Sequence, residues 1–286
     1  MNIRSYDSLD RPPNEDASKK RCLIPIAVIA QIFGIAAVIM CAVWLGYYYG
    51  GFDWRDPALV FNYHPVFMVL GMIFFFGDGK YASLSTTLMT GFLCRSKAAI
   101  PSAFARNNSN TCDYNAMLIY RVFHKCPKLP LKAVHGVLMI LGLLFSVVGL
   151  KAAFDSHNVR GIPDMYSLHA WIGLVTVILF ALQWVVGLIV FLVPYIPPRI
   201  RSKILPLHTA VGLFLLCCAL VAAITGITEK NFGPTYKDLP APAMLSNFMG
   251  LCLVVFCGMV FYLVHRRDYR RVEPTNGEQV GFRYFN

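Results

Sequence analysis

Five uninterrupted apolar runs and one interrupted run dominate the pattern of hydrophobic positions along this chain. The uninterrupted runs cover about residues 22–46, 133–153, 167–193, 205–227 and 244–264. Because a bilayer core of about 30 Å needs about 20 apolar residues in an α-helix, each run is long enough to cross a membrane. The pattern therefore predicts an all-α membrane protein.

The interrupted run begins at Phe61 as FNYHPVFMVLGMIFFFG and then meets Asp78. Residues 79–115 are rich in Ser, Thr and Asn, and the apolar pattern resumes only at AMLIYRVF. If residues 79–115 are left out, the joined sequence has the length of a transmembrane helix. We therefore predict a second helix interrupted by a polar insertion, either a variant loop or the translation of an unremoved intron. A short second helix followed by an ordinary long loop is the alternative.

Charge supports this organisation and adds an orientation. Only 14% of the residues are charged, against about 25% in a soluble domain. Lys and Arg gather before residue 22, at 121–132, at 199–203 and after residue 265, and they are sparse in the other connections. Since basic loops face the cytoplasm, six helices with both termini cytoplasmic are predicted. The net charge of +11 then reflects topology, and no nucleic-acid partner is expected.

The resulting domain plan has three parts. Residues 1–21 form a cytoplasmic tail, residues 22–265 form the transmembrane domain, and residues 266–286 form a second cytoplasmic tail. The insertion at 79–115 lies inside the transmembrane domain.

Four histidines stand near the start of four consecutive apolar runs: His64, His135, His169 and His208. His135 and His169 are 34 residues apart, and His64 and His135 are also 34 apart once the 37 residues of the insertion are subtracted. Because consecutive helices run in opposite directions, His64 and His169 should share one membrane level, and His135 and His208 the other. Ionisable groups inside membrane helices are costly and usually functional.

Two paired imidazoles suit a low-spin haem whose axial positions are both filled, and the natural task of such a haem is electron transfer. The chain has no C-x-x-C-H sequence, so haem would be held without thioether bonds. We therefore predict a six-helix transmembrane bundle whose central four helices bind two non-covalent b haems, with the four histidines as iron ligands.

The stretches FNYHPVFMVLG, LIYRVF, LKAVHGVL, SHNVRGIPDMYSLHAWIGL, LPLHTAVGLF and GITEK resemble the cytochrome b561 family. The resemblance implies electron transfer from cytosolic ascorbate to monodehydroascorbate or ferric iron on the far side, by a protein that forms a homodimer. It also implies an ascorbate site at the cytosolic face and an acceptor site at the other face. The cytosolic residues would be Arg121, Lys128, Lys132 and Arg201, and the acceptor-side residues would be His157 and Tyr166.

Two other functions fit the same residues. In a metal-ion transporter the histidines would be relay ligands and no haem would be bound. In an inactive, splice-like variant the insertion would have destroyed activity, leaving a membrane scaffold. The plasma membrane, a secretory vesicle and an endolysosomal membrane all agree with the sequence.

Overall fold

Six long helices make up the described part of the protein, in a computed structural model that covers residues 13–78, 128–193, 195–232 and 240–265. Side chains are described from residue 25 in the first segment and from residue 132 in the second. Each helix contains an apolar stretch long enough to cross a membrane, which confirms the predicted all-α fold with six spans. The insertion at 79–115, Arg121 and the C-terminal tail lie outside the described residues, so the interruption of the second helix stays a prediction.

The first helix, α1, is Pro13–Val43 and continues as a π-helical segment at Trp44–Tyr48. The second, α2, is Tyr63–Met68, with a 3₁₀ turn at Val60–Asn62 before it and a π-helical segment at Val69–Phe75 after it. The others are α3 at Lys128–Arg160, α4 at Leu168–Gly187 with π-helical Leu188–Leu192, α5 at Pro198–Asn231, and α6 at Ala241–His265.

Helices α3 and α5 extend well beyond the apolar runs that predicted them, since polar residues at their ends remain helical. α5 starts with Pro198. A proline is tolerated in the first turn of a helix, because the backbone N–H that it lacks would have no partner within the helix there. Ser167 caps α4 by accepting a hydrogen bond from the backbone N–H of Ala170 at 3.3 Å. These ends bring polar side chains to the membrane surfaces.

The bundle is built from three closely packed helix pairs: α4 with α5, α2 with α3, and α1 with α6. The π-helical segment after α2 lies close to α3 at two glycines, because a Cβ at Gly71 would lie 2.7 Å from the carbonyl oxygen of Gly142. Many large apolar side chains point outward instead, Ile32 being 60% exposed and Leu182 57% exposed. An outer surface of this kind is stable in lipid.

Candidate functional site

The four histidines form two pairs, each at one level of the bundle. His64 on α2 faces His169 on α4, with their ring centroids 5.9 Å apart and their planes at 88°. His135 on α3 faces His208 on α5, with centroids 6.3 Å apart and planes at 81°. The structure therefore brings together the residues that the sequence paired.

These separations fit a metal held between two imidazoles. An imidazole nitrogen binds a transition metal at about 2 Å, so two rings that share one metal have centroids roughly 6 Å apart. Both pairs have this spacing. Direct hydrogen bonding between the two rings of a pair would bring them closer. The donor set thus suits a haem iron with an imidazole on each side.

Backbone carbonyls fix the protonation of two of the rings. The Nδ1 of His64 lies 3.0 Å from the carbonyl oxygen of Gly149 on α3, and the Nδ1 of His169 lies 2.7 Å from that of Ala222 on α5. Because a carbonyl only accepts, each Nδ1 must carry the proton and donate it. The lone pair is then on Nε2, which is the arrangement of a histidine that ligates a metal.

Glycines on neighbouring helices make room for the histidine rings. A Cβ at Gly226 would lie 2.6 Å from Cε1 of His169, and a Cβ at Gly187 would lie 3.1 Å from Cε1 of His208. Gly173, one turn after His169, has open space beside it instead and lines a cavity. The first two glycines leave room for the His169 and His208 rings, and the open space at the third would accommodate a flat macrocycle.

Helix geometry gives the distance between the two levels. Fourteen residues along α3 separate His135 from Gly149, the carbonyl partner of His64. Fourteen residues along α5 also separate His208 from Ala222, the partner of His169. At 1.5 Å per residue both intervals are roughly 21 Å. The two pairs therefore lie near opposite ends of the helix bundle.

A cavity of about 530 Å³ contains the His64 and His169 pair. His157 and Tyr166, both predicted as acceptor-side residues, line the same cavity. Nδ1 of His157 lies 3.2 Å from the carboxylate of Asp164, and the ring of Phe61 stacks on His157 with centroids 6.5 Å apart. The cavity thus places His157 and Tyr166 in the same space as this histidine pair.

Tyr166 is fixed by a residue that the sequence analysis did not select. Its phenol donates a hydrogen bond to the carboxylate of Glu229 near the end of α5. That bond, together with partial burial and the nearby negative charge, raises the pKa of Tyr166 from 10.0 to about 12. The phenol consequently keeps its proton throughout the physiological range.

The chain between α3 and α4 turns sharply before Tyr166, which lines the cavity. Gly161 has a φ of 65°, and the N–H of Ile162 donates to the carbonyl of His157 at 3.0 Å, which ends α3 in a Schellman-type turn. Met165 also has a positive φ, 56°, which side chains other than glycine seldom adopt. The backbone just before Tyr166 is therefore held in an uncommon conformation at the entrance of the cavity.

The other end of the bundle gathers two of the predicted cytosolic cations. Nζ of Lys132 lies 3.4 Å from the carbonyl of Phe191, and the guanidinium of Arg201 lies 2.8 Å from the carbonyl of Val193. Phe191 also contacts His208, with ring centroids 5.1 Å apart. Lys132 and Arg201 thus converge beside the His135 and His208 pair. The side chain of Lys128 lies outside the described part of the chain, as does the whole of Arg121.

Sequence reasoning missed several polar residues of the cavity, namely Arg160, Glu229 and Lys230. A signal was present, because Glu229 and Lys230 belong to the GITEK stretch. They follow the last apolar run of α5 and resembled ordinary loop charges. Gly187 and Gly226 gave no comparable signal, since glycine is common in membrane helices.

Comparison with known proteins identifies close relatives over most of the chain. The family model described as "Eukaryotic cytochrome b561" matches residues 110–233. The chain is 31% identical to the plasma membrane ascorbate-dependent reductase CYBRD1 of Rattus norvegicus over 257 residues, which are 88% of this chain and 77% of the relative.

Two further relatives are similar to the same extent. The lysosomal membrane ascorbate-dependent ferrireductase CYB561A3 of Bos taurus is 33% identical over 249 residues, covering 84% of this chain and 80% of the relative. The transmembrane ascorbate-dependent reductase CYB561 of Sus scrofa is 33% identical over 253 residues, covering 87% of this chain and 84% of the relative. All three relatives are named as ascorbate-dependent reductases of membranes.

Proposed function

Because this chain belongs to the eukaryotic cytochrome b561 family, we propose that it carries electrons across a membrane from ascorbate to an acceptor on the opposite side. The acceptor is monodehydroascorbate or ferric iron. The observation that carries the proposal is the presence of two histidine pairs, each spaced to share one metal and separated by most of the thickness of a bilayer.

His64 with His169, and His135 with His208, would hold two b haems. A haem held by two imidazoles would supply one-electron transfer and would leave no open position at the iron for substrate chemistry. The chain itself contributes the hydrogen bonds from His64 and His169 to backbone carbonyls, which orient those rings and increase the basicity of the ligating nitrogen. Gly187 and Gly226 allow the rings of His208 and His169 to occupy their positions.

The His135 end is the proposed ascorbate end. Ascorbate is a monoanion at neutral pH, and cations beside the histidine pair would attract it. Lys132 and Arg201 reach this end in the structure, and the family resemblance adds Lys128 and Arg121. The excess of Lys and Arg in the connections at this end favours a cytoplasmic location.

The His64 end is the proposed acceptor end. His157 and Tyr166 line the cavity that leads to His64 and His169. The hydrogen bonds with Asp164 and Glu229 hold both side chains in place. An acceptor in this cavity would lie next to the His64 and His169 pair.

The test is an electron-transfer assay on purified protein reconstituted in vesicles, with ascorbate trapped inside and ferric chelate outside. The wild-type protein should contain two haems per chain and reduce the external iron. His135→Ala should lose the haem of its own level and keep the other, so ascorbate-driven reduction should stop. His265→Ala, which changes a histidine at the end of α6, is the control and should behave as wild type.

Other results would contradict the proposal. A colourless protein that moves metal ions would favour the transporter, and a colourless protein without flux would favour the scaffold. Within the described residues no group of three or more His, Cys, Asp or Glu is placed to hold a metal ion. Two haems retained in His135→Ala would refute the ligand assignment.

The membrane and the oligomeric state stay predictions. The named relatives belong to the plasma membrane in one case and the lysosomal membrane in another, so the family does not select one membrane. A homodimer follows from the resemblance alone.

A further inference from the structure

Two buried polar side chains line the cavity of the His64 and His169 pair without a hydrogen-bond partner. Trp44 begins the π-helical segment that continues α1, and Ser156 lies four residues before the end of α3. Each residue is only 1% exposed and lines the cavity. Neither Nε1 of Trp44 nor Oγ of Ser156 has a partner among the described residues. Because buried donors are nearly always satisfied, both groups point to a bound partner in the cavity.

Ser156 differs from the other hydroxyl groups inside the helices. Every other serine or threonine whose side chain is described within a helix donates to a carbonyl three or four residues earlier. Ser146, on the same helix, donates to Gly142 at 2.7 Å. Such bonds satisfy a hydroxyl where lipid excludes water. The hydroxyl of Ser156 lacks this bond, so it is available to a partner in the cavity.

Trp44 differs from the other three tryptophans in a similar way. Trp184 on α4 donates its indole N–H to the carbonyl of Gly136 at 3.1 Å. Trp54 and Trp171 are 38% and 59% exposed, so their N–H groups can reach acceptors outside the bundle. An indole nitrogen donates and never accepts, so what Trp44 lacks is an acceptor. The partner in the cavity must therefore be able to accept hydrogen bonds.

Both donors lie on the loop side of the histidine pair. Trp44 is four residues from Tyr48, where the helical part of the first span ends. Ser156 lies seven residues beyond Gly149 on α3, whose carbonyl oxygen is the partner of His64. Seven residues correspond to roughly 10 Å along the helix. A ligand held between the two rings would extend its ionised groups in this direction, because charged groups avoid the hydrocarbon layer.

We propose that Trp44 and Ser156 bind the propionate carboxylates of the b haem held by His64 and His169. This inference rests on the proposed function, which supplies the haem. A propionate carboxylate accepts hydrogen bonds and donates none, so it matches the two unpartnered donors. Two imidazoles fix a macrocycle along the line between them but leave its rotation about that line undefined. Hydrogen bonds to the propionates would fix that rotation and, because the acceptor is ionised, would strengthen binding more than bonds to a neutral group.

The first experiment measures haem affinity at this level alone. Full-length protein that carries His135→Ala keeps only the His64 and His169 site, so titration of its apoprotein with haem reports on that site. In this parent, Ser156→Ala and Trp44→Phe should each weaken haem binding roughly tenfold, as expected for one hydrogen bond to a charged group. Ser156→Thr retains the hydroxyl and should restore most of the affinity.

Ser146→Ala and Trp54→Phe are the matched controls. Ser146 is buried on the same helix as Ser156, Trp54 lies between α1 and α2, and neither residue lines the cavity. Each control makes the same chemical change away from the cavity and should leave the haem affinity of the parent unchanged. Equal weakening in the controls would show a general effect on the fold and would overturn the proposal.

The second experiment asks whether the carboxylates are the partners. Haem dimethyl ester has the same macrocycle and iron but no carboxylate. A hydrogen bond to an ionised acceptor is about twice as strong as one to a neutral acceptor, so the tenfold loss in each variant should shrink to about threefold with the ester. A loss of the same factor with haem and with ester would mean that Trp44 and Ser156 only pack the cavity or hold water there, and would refute the inference.

Failure of this inference differs from failure of the proposed function. A parent protein that binds one haem, together with Trp44→Phe and Ser156→Ala variants that bind it equally well, would refute only the inference. A parent and a wild-type protein that bind no haem at all would refute the proposed function, and the inference with it.

Discussion

Replacement of Gly226 by alanine should damage the His64 and His169 site without weakening the helix that carries it. Gly226 lies on α5 directly against the ring of His169. The new methyl group would lie 2.6 Å from Cε1 and 2.8 Å from Nδ1 of that ring. Ordinary contact between such atoms is about 3.5 to 4.0 Å, so the ring must move by roughly 1 Å.

A displacement of that size breaks the hydrogen bond that orients the ring. Nδ1 of His169 lies 2.7 Å from the carbonyl of Ala222, and a shift of roughly 1 Å takes this distance beyond the range of a hydrogen bond. Loss of such a partner typically lowers metal affinity by about 10- to 100-fold. Alanine favours a helix over glycine by about 1 kcal/mol, so a loss of haem could not be attributed to a weaker α5.

The assay is the ratio of haem to protein after purification, followed by titration of the apoprotein with haem. Gly226→Ala should bind one haem tightly and the second about 10- to 100-fold more weakly than wild type. Gly258→Ala on α6 is the control, because a Cβ there meets nothing within 4 Å. It should bind both haems as wild type does.

One result would refute the reasoning. If Gly226→Ala retained two haems with unchanged affinity, either His169 would not be a ligand or its ring would not need the position seen in the structure. Parallel measurement of His169→Ala separates these two explanations, since that variant should lose one haem only if His169 is a ligand.

Two further predictions concern packing and protonation. Gly71→Ala should destabilise the protein by about 1–3 kcal/mol, because its methyl group would lie 2.7 Å from the backbone oxygen of Gly142. In thermal unfolding in detergent, the Tm of Gly71→Ala should be lower than the Tm of Gly258→Ala. Equal Tm values for the two variants would contradict the close approach of the two glycines. The hydrogen bond to Glu229 raises the pKa of Tyr166 from 10.0 to about 12, so this bond stabilises the fold fully below pH 10, and the benefit is lost as the pH rises through 12. Ultraviolet titration of tyrosinate, taken as the difference from Tyr166→Phe, should show this pKa, and Glu229→Gln should bring it back towards 10.

The fold and the histidine pairs could be predicted because each depends on a periodic constraint. A membrane helix needs an apolar run of fixed length, and those runs mark the six helices to within several residues at most ends. The alternation of helix direction then assigns His64 and His169 to one level and His135 and His208 to the other. Neither step requires knowledge of how the helices pack.

Packing determines what the sequence could not predict. The π-helical segments at Trp44–Tyr48, Val69–Phe75 and Leu188–Leu192 have no sequence signature, because a π-turn depends on the neighbours that compensate for its poorer hydrogen bonds. The roles of Gly187 and Gly226 likewise depend on which ring the facing helix presents. A count of glycines cannot distinguish a glycine that makes room for a histidine ring from one that only permits helix contact.

The cations at the two ends of the bundle show why charge alone is an incomplete guide to binding. Basic residues are more numerous at the His135 end, yet Lys132 and Arg201 each donate to a carbonyl at the C-terminus of α4, where the helix dipole is negative. These carbonyl groups therefore offset part of the positive potential of Lys132 and Arg201. At the His64 end, Lys230 lies against the ring faces of Tyr49 and Phe61 instead, and these rings carry no formal negative charge. Anion affinity at each end should follow the donors left free by the fold, and a comparison of anion binding between Lys230→Gln and Lys132→Gln would measure that difference directly.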